Sequence, residues 1–251
     1  MSNGKIIIND PYFHGGGPAN SGPSGSVPFG SAPSALMPER LDRRSFLFGS
    51  AASLGALGLG GCVTTDDMGR MEAMALYGPV PDKKFPIPAA DISKVDPKYF
   101  RKKVRYDSKE APGTIIVDPG NYYVYRIEGD GEATRYGANV GREGFLWSGE
   151  AYVGRKAEWP TWTPPREMIK RQPEAAKYAR GMPGGPDNPL GARTLYLYQK
   201  GVYTLYTIYA SSAPETIGTN LTSGCTGLLT QDMIDLYDRT SIKTKVIVLP
   251  A

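Results

Sequence analysis

The sequence predicts a mainly β domain with short helices, which follows a low-complexity amino-terminal region. Short runs of aromatic and β-branched residues recur from residue 113 onward, separated by Gly, Pro, Asn and Asp. Only two later segments, 166–180 and 230–240, have helical character. Residues 1–36 are rich in Gly, Pro and Ser and are expected to be disordered, because they carry too little apolar surface to offset the entropy of ordering.

The strands are predicted from local patterns. Residues 113–117 (GTIIV) and 122–127 (YYVYRI) flank the turn sequence Asp-Pro-Gly-Asn and predict a pair of strands. The other predicted strands are 132–140, 149–155, 194–198, 202–209 and 245–249. Pro173 interrupts the first predicted helix, and Thr230 is the expected cap of the second.

Charge and composition exclude some functions. A net charge of +4 with no run of Lys or Arg gives no reason to expect a nucleic-acid partner. The sequence contains one histidine, His14, and it lies in the low-complexity region. A mechanism in the folded domain therefore has no imidazole, and the sequence implies neither a metal nor an organic cofactor.

Residues 37–61 have the features of an export signal. Arg43-Arg44 precedes a weakly apolar run, as in twin-arginine signals. The run ends in Leu-Gly-Gly followed by Cys62, which is similar to a lipoprotein box and predicts that Cys62 is lipidated. Two alternatives remain open, a signal cleaved elsewhere and a disulfide between Cys62 and Cys225.

Residues 62–110 are predicted to be a tether between the lipid anchor and the folded domain. They mix charged residues with several prolines and show no sustained hydrophobic period, apart from a short helix near residues 71–76. The folded domain is expected to occupy residues 111–251. Translation from either Met1 or Met37 would include the whole signal.

The folded part resembles the catalytic domain of the L,D-transpeptidases, the YkuD-type family. Six segments carry the resemblance, and their order and spacing make it specific. They are 135–141 (RYGANVG), 147–149 (WSG), 156–165 (KAEWPTWTPP), 184–193 (GGPDNPLGAR), 222–225 (TSGC) and 232–237 (DMIDLY).

The resemblance implies a β-sandwich-like domain that acts on the stem peptides of peptidoglycan. Members of the family attack a bond between an L-centre and a terminal D-residue with a cysteine thiolate, and they pass the acyl group to an amine. The matching cysteine is Cys225. The resemblance also implies that the protein works outside the cytoplasm, here on the periplasmic face of a membrane.

Two positions depart from the family pattern. The nucleophile motif usually ends in an arginine, where this chain has Gly227, and the histidine base is replaced by Tyr209. A phenol titrates near pH 10, so Tyr209 is a poor base for a thiol whose own pKa is about 8.5. Tyr209 is therefore expected to play only a supporting role.

Backbone groups are the expected compensation for these losses. The N–H groups of Gly224 and Thr226 would stabilise the thiolate and an oxyanion, and the amino terminus of the next helix would lower the thiol pKa. Ser211, Ser223 and Gly227 are the expected substrate-binding residues.

Three functions remain open on these residues. The first is a divergent transpeptidase that uses Cys225, and the second is an inactive lipoprotein that binds peptidoglycan or a partner through the former substrate groove. The third keeps Cys225 reactive with a different acyl acceptor. The retained cysteine favours the first and third, whereas the missing histidine favours the second.

Overall fold

The computed structural model describes residues 65–142, 147–171, 173–222 and 224–251. Within these ranges the strands are β1 (Lys102–Arg105), β2 (Ile115–Asp118), β3 (Tyr123–Gly129), β4 (Glu132–Asn139), β5 (Gly149–Glu158), β6 (Arg193–Gln199), β7 (Val202–Ser211), β8 (Thr226–Leu229) and β9 (Lys245–Val248). The mainly β prediction is confirmed. The predicted signal, its lipoprotein box and Cys62 lie outside the described residues.

The helices are short. They are α1 (Thr65–Leu76), α2 (Arg166–Arg171) and α3 (Thr230–Asp238), with 3-10 turns at Ile92–Lys94, Pro97–Tyr99, Pro173–Tyr178 and Pro214–Thr216. The helix predicted over 166–180 is divided as Pro173 suggested. Across the described ranges, no helix is long and apolar enough to span a bilayer.

The strands form one sheet that closes on itself. Their order is β1-β4-β3-β2-β9-β5-β6-β7-β8, and β8 pairs back onto β4 through Asn139 and Gly227. The described strands other than β1 therefore complete a ring, and β1 extends it beside β4. The two halves of the ring enclose the core, as the two sheets of the predicted sandwich would.

The core lies on one side-chain face of this ring. Alternate residues of the strands, such as Leu195, Ile208 and Leu228, are fully buried there, and Met233 and Leu236 of α3 join them. The opposite face of β7 carries Tyr209, and Cys225 lies on the same side just before β8. Both residues belong to a separate cluster. The strand period thus places the candidate nucleophile outside the ring core.

Residues 77–101, which we call the strap, pack against the domain. Tyr77 and Tyr99 are buried beside Ile217 and Leu229. The side-chain amide of Gln231 donates to strap carbonyl groups at Gly78 (3.0 Å) and Pro88 (2.9 Å). The predicted tether over 62–110 is therefore wrong for this stretch, because its scattered apolar residues contact distant parts of the chain and need no local period.

Buried charges also attach the strap. Asp82 accepts from the Arg193 guanidinium at 2.6 Å and from the Trp159 indole N–H at 2.8 Å. Burial alone would raise the pKa of Asp82, but hydrogen bonds from the Lys84 backbone, Trp159 and Arg193 hold that pKa below its usual range. The strap thus presents a carboxylate to an arginine of β6.

Candidate active site

Cys225 lies immediately before β8 and is fully buried. β8 runs parallel to β7, with Ile208 beside Thr226 and Tyr209 beside Gly227. Extending this register by one residue sets Thr207 level with Cys225. The apolar cluster around the thiol, which we call the Cys225 cluster, consists of Trp162, Met168, Met182, Leu190, Tyr209 and Cys225.

The loop between β5 and β6 supplies most of the Cys225 cluster. Trp162 and Met182 exchange backbone hydrogen bonds of 3.0 and 2.7 Å, which fold the loop back on itself. The Asn188 side chain donates to carbonyl groups at Pro160 and Pro183, both at 3.0 Å. Asn188 therefore fixes the wall of the site.

Tyr209 and Gly227 are packed against each other. Tyr209 is 2% exposed. A Cβ atom added at Gly227 would lie 2.9 Å from Cζ of Tyr209 and 2.4 Å from Oδ1 of Asn139. The space in which a longer side chain at position 227 would start is thus already filled, so Tyr209, Asn139 and Gly227 form one packing arrangement.

Asn139 connects the site to β4. Its Oδ1 accepts from the Gly227 N–H at 2.8 Å, and its Nδ2 donates to Thr216 Oγ1 at 2.7 Å. Ser211 is 3% exposed and accepts a longer bond from the same amide, at 3.5 Å. Gly227 and Ser211, both expected to bind substrate, are therefore engaged in this internal network.

The environment of the thiol favours its neutral form. Burial raises the pKa of Cys225, and the side chain and backbone of the adjacent Thr207 oppose that rise. The Sγ atom lies 3.8 Å from the carbonyl oxygen of Leu205, to which the thiol donates. Because a carbonyl accepts only from the protonated thiol, this contact also favours the neutral state.

A bulge in β7 covers the thiol. Tyr196 pairs with Thr207 and Tyr198 pairs with Tyr203, so residues 204–206 stand opposite Leu197 alone. We call these three residues the cover. Leu205, at their centre, has a φ of 71°, a left-handed conformation that is unfavourable for leucine. The strained backbone holds the Leu205 carbonyl over Cys225.

The Thr204 side chain compensates for the disrupted ladder. Its hydroxyl donates to the Leu197 carbonyl at 2.7 Å and accepts from the Tyr206 N–H at 3.2 Å. The Tyr206 ring packs against Trp147 with ring centroids 5.3 Å apart. The Thr204 hydroxyl and the Tyr206–Trp147 contact therefore hold the cover in place on the hairpin.

The structure brings several predicted site residues together. Gly224 and Thr226 flank Cys225 directly, and the backbone of Gly224 is left-handed, with a φ of 113°. Their roles stay predictions, as does the role of Ser223, which lies outside the described residues. Thr207 and Asn139 were not singled out from the sequence, although the strand period places Thr207 on the same face as Tyr209.

The predicted effect of the next helix is wrong. α3 begins at Thr230, and the four residues of β8 separate it from Cys225. At about 3.3 Å per residue this places the helix terminus beyond the range of its dipole. The Thr230 hydroxyl, predicted as a cap, instead donates to the Ser211 carbonyl at 3.3 Å.

Two basic residues near the site have internal partners. Lys156 Nζ donates to the carbonyl groups of Tyr237 (2.6 Å) and Thr240 (2.5 Å) at the end of α3. Arg193 pairs with Asp82 of the strap. Both side chains therefore stabilise the domain in this structure.

Comparison with other proteins gives a consistent family. The chain is 36% identical over 98 residues to the probable L,D-transpeptidase ErfK/SrfK of Escherichia coli (strain K12), an alignment that covers 38% of this chain and 29% of that protein. It is 31% identical over 101 residues to a putative L,D-transpeptidase of Fuscovulum blasticum, covering 40% and 49% respectively. The match thus spans less than two thirds of these relatives.

Solved structures are also similar. One is described as a probable carnitine operon oxidoreductase from Brucella melitensis, with 39% identity, a TM-score of 0.44, and coverage of 63% of this chain and 99% of that one. The family model of the L,D-transpeptidase catalytic domain (YkuD) matches residues 112–248, more than half of the sequence. The chain therefore belongs to the L,D-transpeptidase catalytic domain family.

Proposed function

We propose that this protein is a peptidoglycan-modifying acyltransferase that uses Cys225 as its nucleophile. One observation carries the proposal: Cys225, the cysteine that the resemblance matches to the family nucleophile, lies at the entry to β8 and outside the ring core. The substrate class, peptidoglycan stem peptides, follows from family membership.

The proposed reaction has two steps. The Cys225 thiolate attacks the carbonyl carbon of a stem-peptide amide, the C–N bond breaks, and the departing amine takes a proton. An amine of a second stem then attacks the thioester, which forms a new amide and returns the thiol. No histidine takes part, because the sequence has none in this domain. The reaction is therefore expected to be slow, as general acid–base help contributes roughly 10²–10⁴ in rate.

A second candidate is a binding lipoprotein whose site no longer reacts. The full burial of Cys225 and its raised pKa favour this candidate. So does the filling of the site by Tyr209 and Asn139, which leaves no space beside Gly227. In this case the outer surface of the Cys225 cluster would bind peptidoglycan without changing it.

A carbapenem separates the two candidates. A live thiolate opens the β-lactam ring, so the protein gains the whole mass of the drug at Cys225. We expect an adduct on the intact chain after hours of incubation and none on the Cys225→Ser variant, measured by peptide mass spectrometry. An unmodified wild-type protein with a normal unfolding transition would favour the binding lipoprotein.

We further propose that the protein is exported and anchored by a lipid at Cys62. The support is the order of Arg43-Arg44, the apolar run and the Leu-Gly-Gly-Cys sequence. A diacylated amino-terminal peptide beginning at Cys62 is expected from membrane-extracted protein. An unmodified amino terminus downstream of Cys62 would contradict the anchor.

A further inference from the structure

We propose that the hydroxyl of Thr207 is the group that hydrogen-bonds to the Cys225 sulfur when the thiol ionises. The residue at the position of the family base, Tyr209, is then not the one that stabilises the thiolate. This inference rests on the proposed function, because it assigns a catalytic residue to the same nucleophile.

The sheet register gives Thr207 its place. Tyr209 lies beside Gly227 in the parallel pairing of β7 and β8, so Thr207, two residues earlier, lies level with Cys225 on the same strand face. Thr207 is 2% exposed, and its backbone pairs with Tyr196 of the neighbouring strand β6. A residue in this position contacts the sulfur without any rearrangement of the sheet.

The Thr207 hydroxyl is buried, and among the residues that the structure describes it has no hydrogen-bond partner. Neighbouring threonines differ. Thr194 donates to the Leu190 carbonyl at 3.1 Å, and Thr204 donates to the Leu197 carbonyl. A buried hydroxyl without a partner is costly, so the thiolate that forms at the adjacent Cys225 is the acceptor that would satisfy it.

Thr207 and Leu205 act on the sulfur in opposite directions. The Leu205 carbonyl accepts from the thiol S–H and therefore stabilises the neutral form. The Thr207 hydroxyl donates, and a donor stabilises the thiolate. Thr207 does not accept the proton, which leaves to water. Ionisation thus exchanges one hydrogen bond for the other and does not require an imidazole.

The pH dependence of thiol modification tests this assignment. The full chain is treated with methyl methanethiosulfonate between pH 6 and pH 11, and peptide mass spectrometry follows Cys225 separately from Cys62. We expect the midpoint of the rate profile to rise by about one pH unit in Thr207→Val, which removes the donor. Thr207→Ser, which keeps the hydroxyl, should match the wild type, and Tyr209→Phe should leave the midpoint unchanged.

Each other result has a defined meaning. A labelled Cys225 whose midpoint is the same in Thr207→Val and wild type overturns the role of Thr207 alone. A shift confined to Tyr209→Phe overturns it in favour of Tyr209. A Cys225 that stays unlabelled at every pH, yet reacts in urea, overturns the proposed function and this inference with it.

Discussion

The strap and the Cys225 site bury polar groups in different ways. The strap pairs charged groups with the rest of the domain. Its Asp82 meets Arg193 of β6, and its Arg101 meets Asp232 of α3 at 3.6 Å. The strap's Tyr77 hydroxyl donates to Asp232 at 3.1 Å. The Cys225 site surrounds its thiol with apolar side chains and neutral hydrogen bonds. The same domain therefore buries charge where a cation is present and favours the neutral form of the buried thiol where no cation belongs to the surrounding cluster.

Asp232 is a buried carboxyl group whose cation partner does not fully offset its burial. Burial raises its pKa to about 7, against the attraction of Arg101 and the hydrogen bond from Tyr77. The folded state thus holds this proton more tightly than the unfolded chain does. Its contribution to stability is complete below the unfolded pKa near 4 and is lost as the pH rises through 7. Even at the strap, a carboxyl group without an ideal cation partner tends toward neutrality.

Breaking the buried ion pair of the strap should have the largest effect. Asp82→Asn leaves the Arg193 guanidinium, whose side chain is 11% exposed, without its counter-charge. We expect the free energy of unfolding to fall by about 3 kcal/mol in urea titrations. Asp91→Asn is the matched control, because its pair with Lys94 is more than half exposed and its loss should change the free energy of unfolding much less. Equal losses in both variants would contradict the comparison.

Introducing a cation at position 227 should lower the free energy of unfolding somewhat less. Gly227→Arg places a Cβ atom 2.4 Å from Asn139 Oδ1, and we expect a loss of about 2 kcal/mol from overpacking. In the Asn139→Gly background the same substitution should cost measurably less, since the obstructing side chain is gone. Additive losses in this double-mutant cycle would show that Asn139 does not obstruct a longer side chain at position 227.

The smallest expected effect concerns the cover, which is held by strained backbone and not by charge. At a φ of 71° glycine is favoured, so Leu205→Gly should be more stable than Leu205→Ala by about 1 kcal/mol in urea titrations. The same two substitutions at Val202, which is 69% exposed, serve as the control. There alanine should be the more stable, and the same order at both positions would contradict the strain.

Local patterns were sufficient for most strands but not for the contacts between distant segments. β3, β6 and β7 follow aromatic and β-branched runs that the sequence shows directly. Tyr77 meets Asp232 across 155 residues, and Gly227 meets Asn139 across 88. No local period reports such pairs, so the strap was expected to be a tether and Asn139 was not identified.

The same limit applies inside the site. Cys225, Tyr209 and Gly227 are predicted as site residues from the resemblance to family motifs. The bulge at residues 204–206 depends on how β6 and β7 pair, and a leucine gives no signal of a left-handed backbone. The position of the Leu205 carbonyl, and with it the contrast between Leu205 and Thr207, required the structure.

The strap also sets how far the domain reaches. A tether over residues 62–110 would extend by up to roughly 160 Å at about 3.3 Å per residue, enough to place the domain deep in a cell wall. Because the strap is packed against the domain from Tyr77 onward, only α1 and two further residues lie between Cys62 and the strap. A lipid at Cys62 would then hold the domain within about 30 Å of the bilayer surface. Its substrates would be the layers of peptidoglycan that lie nearest the membrane.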